Sequence, residues 1–132
     1  MITFHHAIKI AAPRPAVYDA LTDIAQMADW HAGKVEGEIA EGAVLTLRPK
    51  SDTHFSWRIE TLEANARIVQ TSLLETDSQA GKTLTFTLAD LDDGRTLVAL
   101  SHGEWASDDA HLPFCNTYWG EVLFQLKTLY GN

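Results

Sequence analysis

The fold is decided by residues 111–132, HLPFCNTYWGEVLFQLKTLYGN. Apolar side chains recur there at the spacing of a helix that is apolar along one side. This stripe consists of Cys115, Tyr118, Trp119, Val122, Leu126 and Leu129. We predict a long helix that begins near Pro113, ends at Leu129 or Tyr130, and stops at Gly131.

The residues before this helix alternate between apolar and polar side chains in short segments separated by turn residues. Such a pattern is typical of antiparallel strands, and Asp92-Asp93-Gly94 is a strong hairpin signal. The predicted strands are Lys34–Ala40, Ala43–Arg48, Phe55–Glu60, Arg67–Glu75, Thr83–Leu88 and Thr96–Trp105.

The N-terminal part of the chain predicts one more strand and two short helices. Ile2–Ile10 alternates like a half-buried strand, and Pro15 suits the first turn of the helix after it. The second helix starts with Thr22 or Asp23 as its N-cap. The apolar positions of the two helices are Val17, Tyr18 and Leu21, then Ile24, Met27 and Trp30.

A long amphipathic helix that follows an antiparallel sheet buries its apolar stripe across one face of that sheet. We therefore predict an α+β fold with a curved sheet of about seven strands, the last helix packed across it, and an internal apolar space between them. Neither repeats nor linkers interrupt the pattern, so residues 1–132 are expected to form a single domain.

The composition excludes several classes of partner. Eighteen Asp and Glu residues against ten Lys and Arg give a net charge of −8, which disfavours nucleic acid and anionic membranes. No segment approaches the roughly eighteen apolar residues of a membrane span. Cys115 alone forms no intrachain disulfide, and residues 1–15 lack the form of a signal peptide. We expect a cytoplasmic protein that neither binds nucleic acid nor inserts into a membrane.

Four local signatures follow one another along the chain. They are Ile8-x-Ile10-x-Ala12-Pro13 with Val17-Tyr18-x-x-Leu21; Trp30 after the second helix; Gly94-x-Thr96-x-Val98-x-Leu100-x-His102; and Tyr118-Trp119-Gly120-x-x-Leu123-x-x-Leu126-Lys127 to Gly131. Together they resemble the START-like, or SRPBCC, superfamily over essentially the whole chain. They look most similar to bacterial homologues of the C-terminal domain of heat-shock-protein 90 ATPase activators. The resemblance implies a helix-grip (Bet v-like) fold, whose sheet wraps around the last helix and encloses a cavity.

Members of this superfamily include lipid and hormone carriers, polyketide aromatase/cyclases, oxygenase domains and chaperone activators, so the resemblance implies several functions. The chain departs from the pattern at Ser72, where a large aromatic residue is expected, and at Cys115 near the start of the last helix. A small side chain at Ser72 leaves more room or more polarity in the implied cavity.

The inward faces of the predicted sheet and of the last helix supply a candidate ligand site. His102 continues the inward set of Val98 and Leu100, either as a satisfied core residue or as a group that orients a ligand or acts as a base. The same alternatives hold for His6, and the hydroxyl of Tyr118 needs a partner if its ring is buried. The candidate set is His6, Trp30, Phe55, Trp57, Leu84, Phe86, Val98, Leu100, His102, Tyr118, Trp119, Val122 and Leu126.

The tryptophans are assigned to different parts of this interior. We expect Trp119 to anchor the last helix and Trp30 to close the gap between the short helices and the sheet. Trp57 is expected in the cavity wall, and Trp105, which ends a strand, at the rim.

Metal and cofactor signatures are missing from the sequence. His5 and His6 are adjacent and point to opposite faces of a strand, and the other histidines lack a His-x-x-x-His spacing. There is neither a glycine-rich phosphate loop nor a Gly-x-Ser-x-Gly elbow. We expect no metal and no other cofactor, and no catalytic residue can be named.

Three functions remain, in this order. The first is binding of a small hydrophobic or aromatic molecule in the cavity. The second is an enzyme, such as a cyclase, dehydratase or hydrolase, that uses His102. The third is a chaperone-activator-like interaction protein, as the resemblance implies. Phe124 falls opposite the Val122-centred stripe and points away from the sheet, so with Tyr130 it offers a partner patch or a homodimer contact.

Overall fold

The computed structural model describes residues 1–31, 33–50, 53–73 and 81–131. Its elements follow the predicted order of one strand, two short helices, six strands and one long helix. The strands are β1 Ile2–Ile10, β2 Lys34–Gly37, β3 Val44–Lys50, β4 Thr53–Glu63, β5 Arg67–Ser72, β6 Thr83–Asp90 and β7 Thr96–Trp105. The helices are α1 Arg14–Thr22, α2 Ile24–Trp30 and α3 Leu112–Tyr130. Residues 74 and 75, which end the predicted strand Arg67–Glu75, lie outside the described residues.

The seven strands form one antiparallel sheet in the order β1-β7-β6-β5-β4-β3-β2. The hairpin between β6 and β7 turns where the sequence predicts it, at Gly94, whose φ of 84° lies in the left-handed region that glycine adopts without steric cost. The first strand pairs with the last, and Phe4 lies opposite His102. The two ends of the strand sequence are therefore neighbours at one side of the sheet.

The two short helices are held by specific contacts rather than by their length. Helices of seven and nine residues are marginal in isolation, so packing must stabilise them. Asp23, one of the two predicted caps, accepts a hydrogen bond from the Ala25 amide at 2.9 Å. The indole N–H of Trp30 donates to the Ala20 carbonyl at 2.8 Å. This second bond ties the end of α2 to α1.

Helix α3 confirms the predicted stripe with one shift. Its buried residues are Trp119, Val122, Leu123 and Leu126, and Phe124 points outward with 66 % exposure, as predicted. Leu129 is 48 % exposed, against the prediction. The buried stripe is centred between Trp119 and Leu126, which brings Leu123 inside it and leaves Leu129 at its margin.

The end of α3 is fixed to the end of β1. The Ala11 amide donates to the Gly131 carbonyl at 2.9 Å. A Cβ at position 131 would lie 2.6 Å from the Ala11 nitrogen, so the close approach requires glycine there. The predicted stop of the helix is thus also a junction with the sheet.

The core lies between the inner face of the sheet and the helices. Every second residue of β7 from Thr96 to His102 is buried, and then the alternation breaks at Trp105. The pairing of β1 with β7 shifts register between Ile2 and Phe4, and such a bulge re-aims the side chains beyond it. Trp105 is therefore fully buried, and its predicted place at the rim is wrong.

Helix α3 is the longest helix of the structure. Among the described residues, no helix combines the length and the apolar content that crossing a lipid bilayer requires.

Candidate functional site

Three buried side chains, Trp57 on β4 with His102 and Trp105 on β7, lie together in the interior and are called the unpaired cluster below. The ring centroid of His102 lies 5.4 Å from that of Trp57 and 5.1 Å from that of Trp105. Phe4 on β1 packs against the same imidazole at 5.1 Å. None of the three side chains of the cluster exceeds 1 % exposure. The sheet thus gathers them from two strands onto its inner face.

Four nitrogen atoms of the unpaired cluster have no hydrogen-bond partner among the residues that the structure describes. They are Trp57 Nε1, Trp105 Nε1 and both ring nitrogens of His102. Most buried polar groups in native proteins are paired, and leaving one unpaired costs about 1–3 kcal/mol. Four such atoms on three neighbouring rings mark a place where stability is given up, as happens at functional sites.

The imidazole of His102 is kept neutral. Burial lowers the pKa of His102 to about 4, and the positive charge of Lys82 makes a smaller contribution in the same direction. A neutral imidazole has one N–H donor and one nitrogen acceptor. With the two indole N–H groups, the unpaired cluster therefore offers three donors and one acceptor.

A second buried histidine, His31, lies after α2 in a group that also contains Trp30, Tyr118 and Trp119, called the paired cluster below. His31 Nδ1 lies 3.1 Å from the Tyr118 hydroxyl, at hydrogen-bonding distance. The imidazole stacks on Trp30 with centroids 4.0 Å apart and meets Trp119 edge-on at 5.7 Å. Burial lowers the pKa of His31 to about 3 and raises the pKa of the Tyr118 hydroxyl.

The partner of Tyr118 bears on the enzyme hypothesis. That hypothesis expects His102 within reach of Tyr118 or of a carboxylate, but the Tyr118 hydroxyl pairs with His31 instead. Neither ring nitrogen of His102 has a partner that would orient it as a base. In the part of the chain that the structure describes, no three His, Cys, Asp or Glu side chains are grouped to hold a metal ion.

Aromatic contacts connect the two clusters across the interior. Trp119 on α3 lies 6.3 Å from Trp57 and 6.0 Å from Phe86 on β6, both edge-on. Tyr118 lies 6.3 Å from Phe55, the half-buried aromatic of β4. Each such pair contributes about 0.5–1.5 kcal/mol beyond its buried area. Trp119 is thus the link between α3 and the sheet, and an open internal space stays a prediction.

The structure brings most of the candidate residues together and sets one apart. Phe55 and Tyr118 are half-buried, and His6 lies in a surface groove beside α3. The fully interior members of the set are Trp30, Trp57, Leu84, Phe86, Val98, Leu100, His102, Trp119, Val122 and Leu126. They line the contact between the sheet and the helices.

His6 belongs to a surface groove between β1 and α3. Its Nε2 lies 2.8 Å from Asn116 Oδ1, and its ring approaches Gly120, where a Cβ would be 3.3 Å away. The groove has a volume of about 510 Å³. It is lined by His6, Asn116, Thr117, Gly120, Glu121 and Phe124. The inward position predicted for His6 is therefore only partly reached, because the ring lies at the sheet edge.

The two clusters also involve residues outside the predicted ligand set, namely Phe4, His31, Lys82 and Trp105. A signal existed for two of them, because Phe4 and Lys82 continue the inward alternation of their strands by one step. His31 is paired with a residue 87 positions away, and Trp105 depends on a bulge, so neither was readable from local pattern.

Comparison with known proteins agrees with this fold. Residues 11–131 match the family model described as "Activator of Hsp90 ATPase homolog 1-like protein". No curated protein matches the sequence significantly.

Three solved structures resemble the chain along nearly its whole length. The solution structure of the Aha1 dimer from Colwellia psychrerythraea is 23% identical, with a TM-score of 0.91, over 99% of this chain and 97% of that one. An HSP90 activator from Plasmodium falciparum is 16% identical, with a TM-score of 0.80, over 98% and 96%. CalU16 from Micromonospora echinospora is 20% identical, with a TM-score of 0.80, over 96% and 73%. At these identities the likeness shows the fold, and the predicted helix-grip architecture is confirmed.

Proposed function

We propose that this chain, which belongs to the family of activator of Hsp90 ATPase homolog 1-like proteins, acts as a single domain that binds a small hydrophobic or aromatic molecule. One observation carries this proposal. The four nitrogen atoms of Trp57, His102 and Trp105 are buried and have no hydrogen-bond partner within the described ranges of the chain. A ligand with oxygen atoms on an apolar body would pair them.

The surroundings of these atoms match the composition of small-molecule sites. Such sites are mostly apolar and contain a few placed polar groups. Leu84, Leu100 and Phe86 supply apolar walls on the inner face of the sheet. Because the interior rings contact one another, a ligand enters where they can separate most easily. Phe55 and Tyr118 are the half-buried pair at which we place that entry.

A test compares variants of two buried tryptophans and of His102. Purified protein is first examined by native mass spectrometry for a co-purifying molecule, and then by thermal shift against lipids, flavonoids and polyketide-like aromatics. We expect Trp57→Phe and His102→Leu to weaken binding of any hit about tenfold or more, since each removes a group worth about 1–3 kcal/mol. The matched comparison is Trp30→Phe, which removes the same atoms but no unpaired N–H group, because the Trp30 indole already donates to the Ala20 carbonyl; binding of a hit should fall less in this variant than in Trp57→Phe.

Two results would overturn the proposal. One is that no compound of these classes raises the melting temperature and none co-purifies. The other is that a hit binds Trp57→Phe and His102→Leu as tightly as it binds the unaltered chain.

Catalysis by His102 is less favoured than binding. A general base works best when its pKa lies near the operating pH, and the pKa of His102 is lowered to about 4. His102 at neutral pH is therefore better suited to orient a ligand than to remove a proton from it.

A second function, self-association, is supported by the outer face of α3. Phe114 and Phe124 are 76 % and 66 % exposed on this helix, which leaves two large aromatic side chains available to pack against a partner. The similar protein from Colwellia psychrerythraea was solved as a dimer. We place a second copy of this chain on that face.

Light scattering across a concentration series tests the dimer. We expect Phe124→Glu to abolish association, because a buried unpaired carboxylate at an interface is strongly unfavourable. Val44→Glu is the control, since Val44 is an exposed apolar residue on β3, at 44 % exposure. A chain that stays monomeric at every concentration, or a dimer that Phe124→Glu leaves intact, contradicts the assignment.

An interaction with an Hsp90-type chaperone is the third role. It is supported by the family and by the similar HSP90 activator from Plasmodium falciparum. The measurement is the ATPase rate of Hsp90 with and without this chain. An unchanged rate at saturating chain concentration excludes activation.

A further inference from the structure

We infer that the molecule received at the unpaired cluster is an organic anion, a carboxylate carried on an aromatic or aliphatic body. This inference rests on the proposed binding function and adds the charge of the ligand. It follows from the position of Lys82, from the small side chain of Ser72 beside it, and from the donors that face no acceptor.

Lys82 is half-buried and lies next to the unpaired cluster, one residue before β6 begins. It precedes Leu84 by two residues and so continues the inward alternation of Leu84 and Phe86 on β6. Its Nζ lies 4.9 Å from the ring centroid of Trp105, within the range of a cation–π contact. A positive charge is therefore held at the edge of the group of unpaired nitrogen atoms.

Ser72 places a small side chain between Lys82 and Trp57. Trp57 is the partner of Ser72 in the pairing of β4 with β5. The Ser72 amide donates to the Lys82 carbonyl at 2.9 Å. These contacts form a row that consists of Trp57 on β4, Ser72 at the end of β5 and Lys82 just before β6. Ser72 is 3 % exposed, so the smallest side chain of the row occupies its buried middle.

In the part of the chain that the structure describes, the positive charge of this row has no acidic partner. The buried polar residues of the described chain are His31, Gln70, Ser72, Thr96 and His102, and none of them is a carboxylate. Lys82 forms no ion pair within the described ranges. A cation at the margin of an apolar interior favours a counter-charge, because a low dielectric strengthens the attraction.

A carboxylate fits these groups better than a neutral ligand does. It accepts through about four lone-pair positions and has no donor, so it can take the N–H groups of Trp57, Trp105 and His102 together. Hydrogen bonds to an ionised group are roughly twice as strong as neutral ones. The charge of Lys82 adds attraction that an amide or an alcohol of the same shape would not gain.

Matched pairs of probes test the charge preference directly. Titration calorimetry at pH 7.5 compares benzoate with benzamide and 2-naphthoate with 2-naphthamide. We expect the acid of a pair to bind about tenfold more tightly than its amide, the factor that corresponds to one charge-assisted hydrogen bond. In Lys82→Met, which keeps most of the side-chain stem, this ratio should fall to about twofold or less. Lys9→Met, on the exposed face of β1, makes the same change in net charge and should keep the full ratio.

The outcomes separate the two levels of the proposal. Equal affinities for acid and amide overturn the inference and leave the binding function standing. A preference for the acid that survives in Lys82→Met also overturns it, because the charge then has another source. Saturable binding of none of the four probes overturns the binding function and the inference together. Melting curves of both lysine variants show that each is folded.

Discussion

His31 and His102 are two buried histidines in the same core, and they differ in one respect. Their exposures are 6 % and 0 %, and burial lowers the pKa of both. The imidazole of His31 stacks on Trp30 and has the Tyr118 hydroxyl as its partner. The imidazole of His102 contacts rings on several sides and has no partner for either nitrogen.

The difference shows how a structural histidine can be told from a functional candidate. Burial and a lowered pKa are common to both, so neither property identifies a site. Only the hydrogen-bond inventory separates them. In the paired cluster the fold supplies partners for the Trp30 indole, for Nδ1 of His31 and for the Tyr118 hydroxyl, whereas in the unpaired cluster the described residues supply none for the four nitrogen atoms.

Lowering the pH should cause the largest loss of folding stability, and both buried histidines should contribute to it. Below the unfolded pKa of 6.5 the unfolded chain binds protons that the folded chain refuses, so stability falls as the pH drops toward about 4 for His102 and about 3 for His31. At about 1.4 kcal/mol per pKa unit, the losses reach about 3 kcal/mol for His102 and about 5 kcal/mol for His31.

Urea denaturation at a series of pH values measures this loss. His102→Leu should lose about 3 kcal/mol less than the unaltered chain between pH 7 and pH 4, since its share of the proton linkage is gone. Using the difference between the two curves cancels the titration of the surface carboxylates. Superimposable curves would mean that His102 is not held neutral in the folded state.

Removing one group from each cluster should change stability in opposite directions. Tyr118→Phe leaves the Nδ1 of buried His31 without its partner, which should cost about 1–3 kcal/mol. His102→Leu removes two unpaired nitrogen atoms from an apolar surrounding, so the free energy of unfolding should stay constant or rise by up to about 2 kcal/mol. Chemical denaturation at pH 7.5 compares the two. Equal losses would erase the distinction between the clusters.

The smallest effect separates two buried indoles. Trp30→Phe and Trp57→Phe remove the same atoms from side chains that are each 1 % exposed. Only the Trp30 indole donates a hydrogen bond, to the Ala20 carbonyl. Trp30→Phe should therefore be the more destabilising of the two by about 1 kcal/mol. A reversed order in thermal unfolding would show that Trp57 has a partner.

Local patterns predicted the elements, while contacts across the chain stayed out of reach. Strands Ile2–Ile10 and Thr96–Trp105 begin and end where their alternation predicts, because side chains of a half-buried strand repeat every two residues. The bulge that turns Trp105 inward depends on how β1 pairs with β7, and no local pattern encodes it.

The candidate site was predictable in outline only. Inward periodicity selected Trp57 and His102, both of which the structure places in the unpaired cluster. Whether a buried nitrogen finds a partner depends on side chains from distant segments. His31 and Tyr118, for example, meet across 87 positions. The functional proposal depends on which buried nitrogen atoms lack a partner, and local sequence patterns do not predict this.

The junction of Ala11 with Gly131 anchors the C-terminal end of α3 to the sheet. Backbone contact at that end opposes sliding of the helix along its axis, so a tilt of the helix relative to the sheet would displace its opposite end most. The opposite end at Leu112 stands about 27 Å from this junction, given a rise of about 1.5 Å per residue. A rotation of about 5° at the junction would lift that end by about 2 Å, so a small angular change at one end produces a displacement of atomic size at the other.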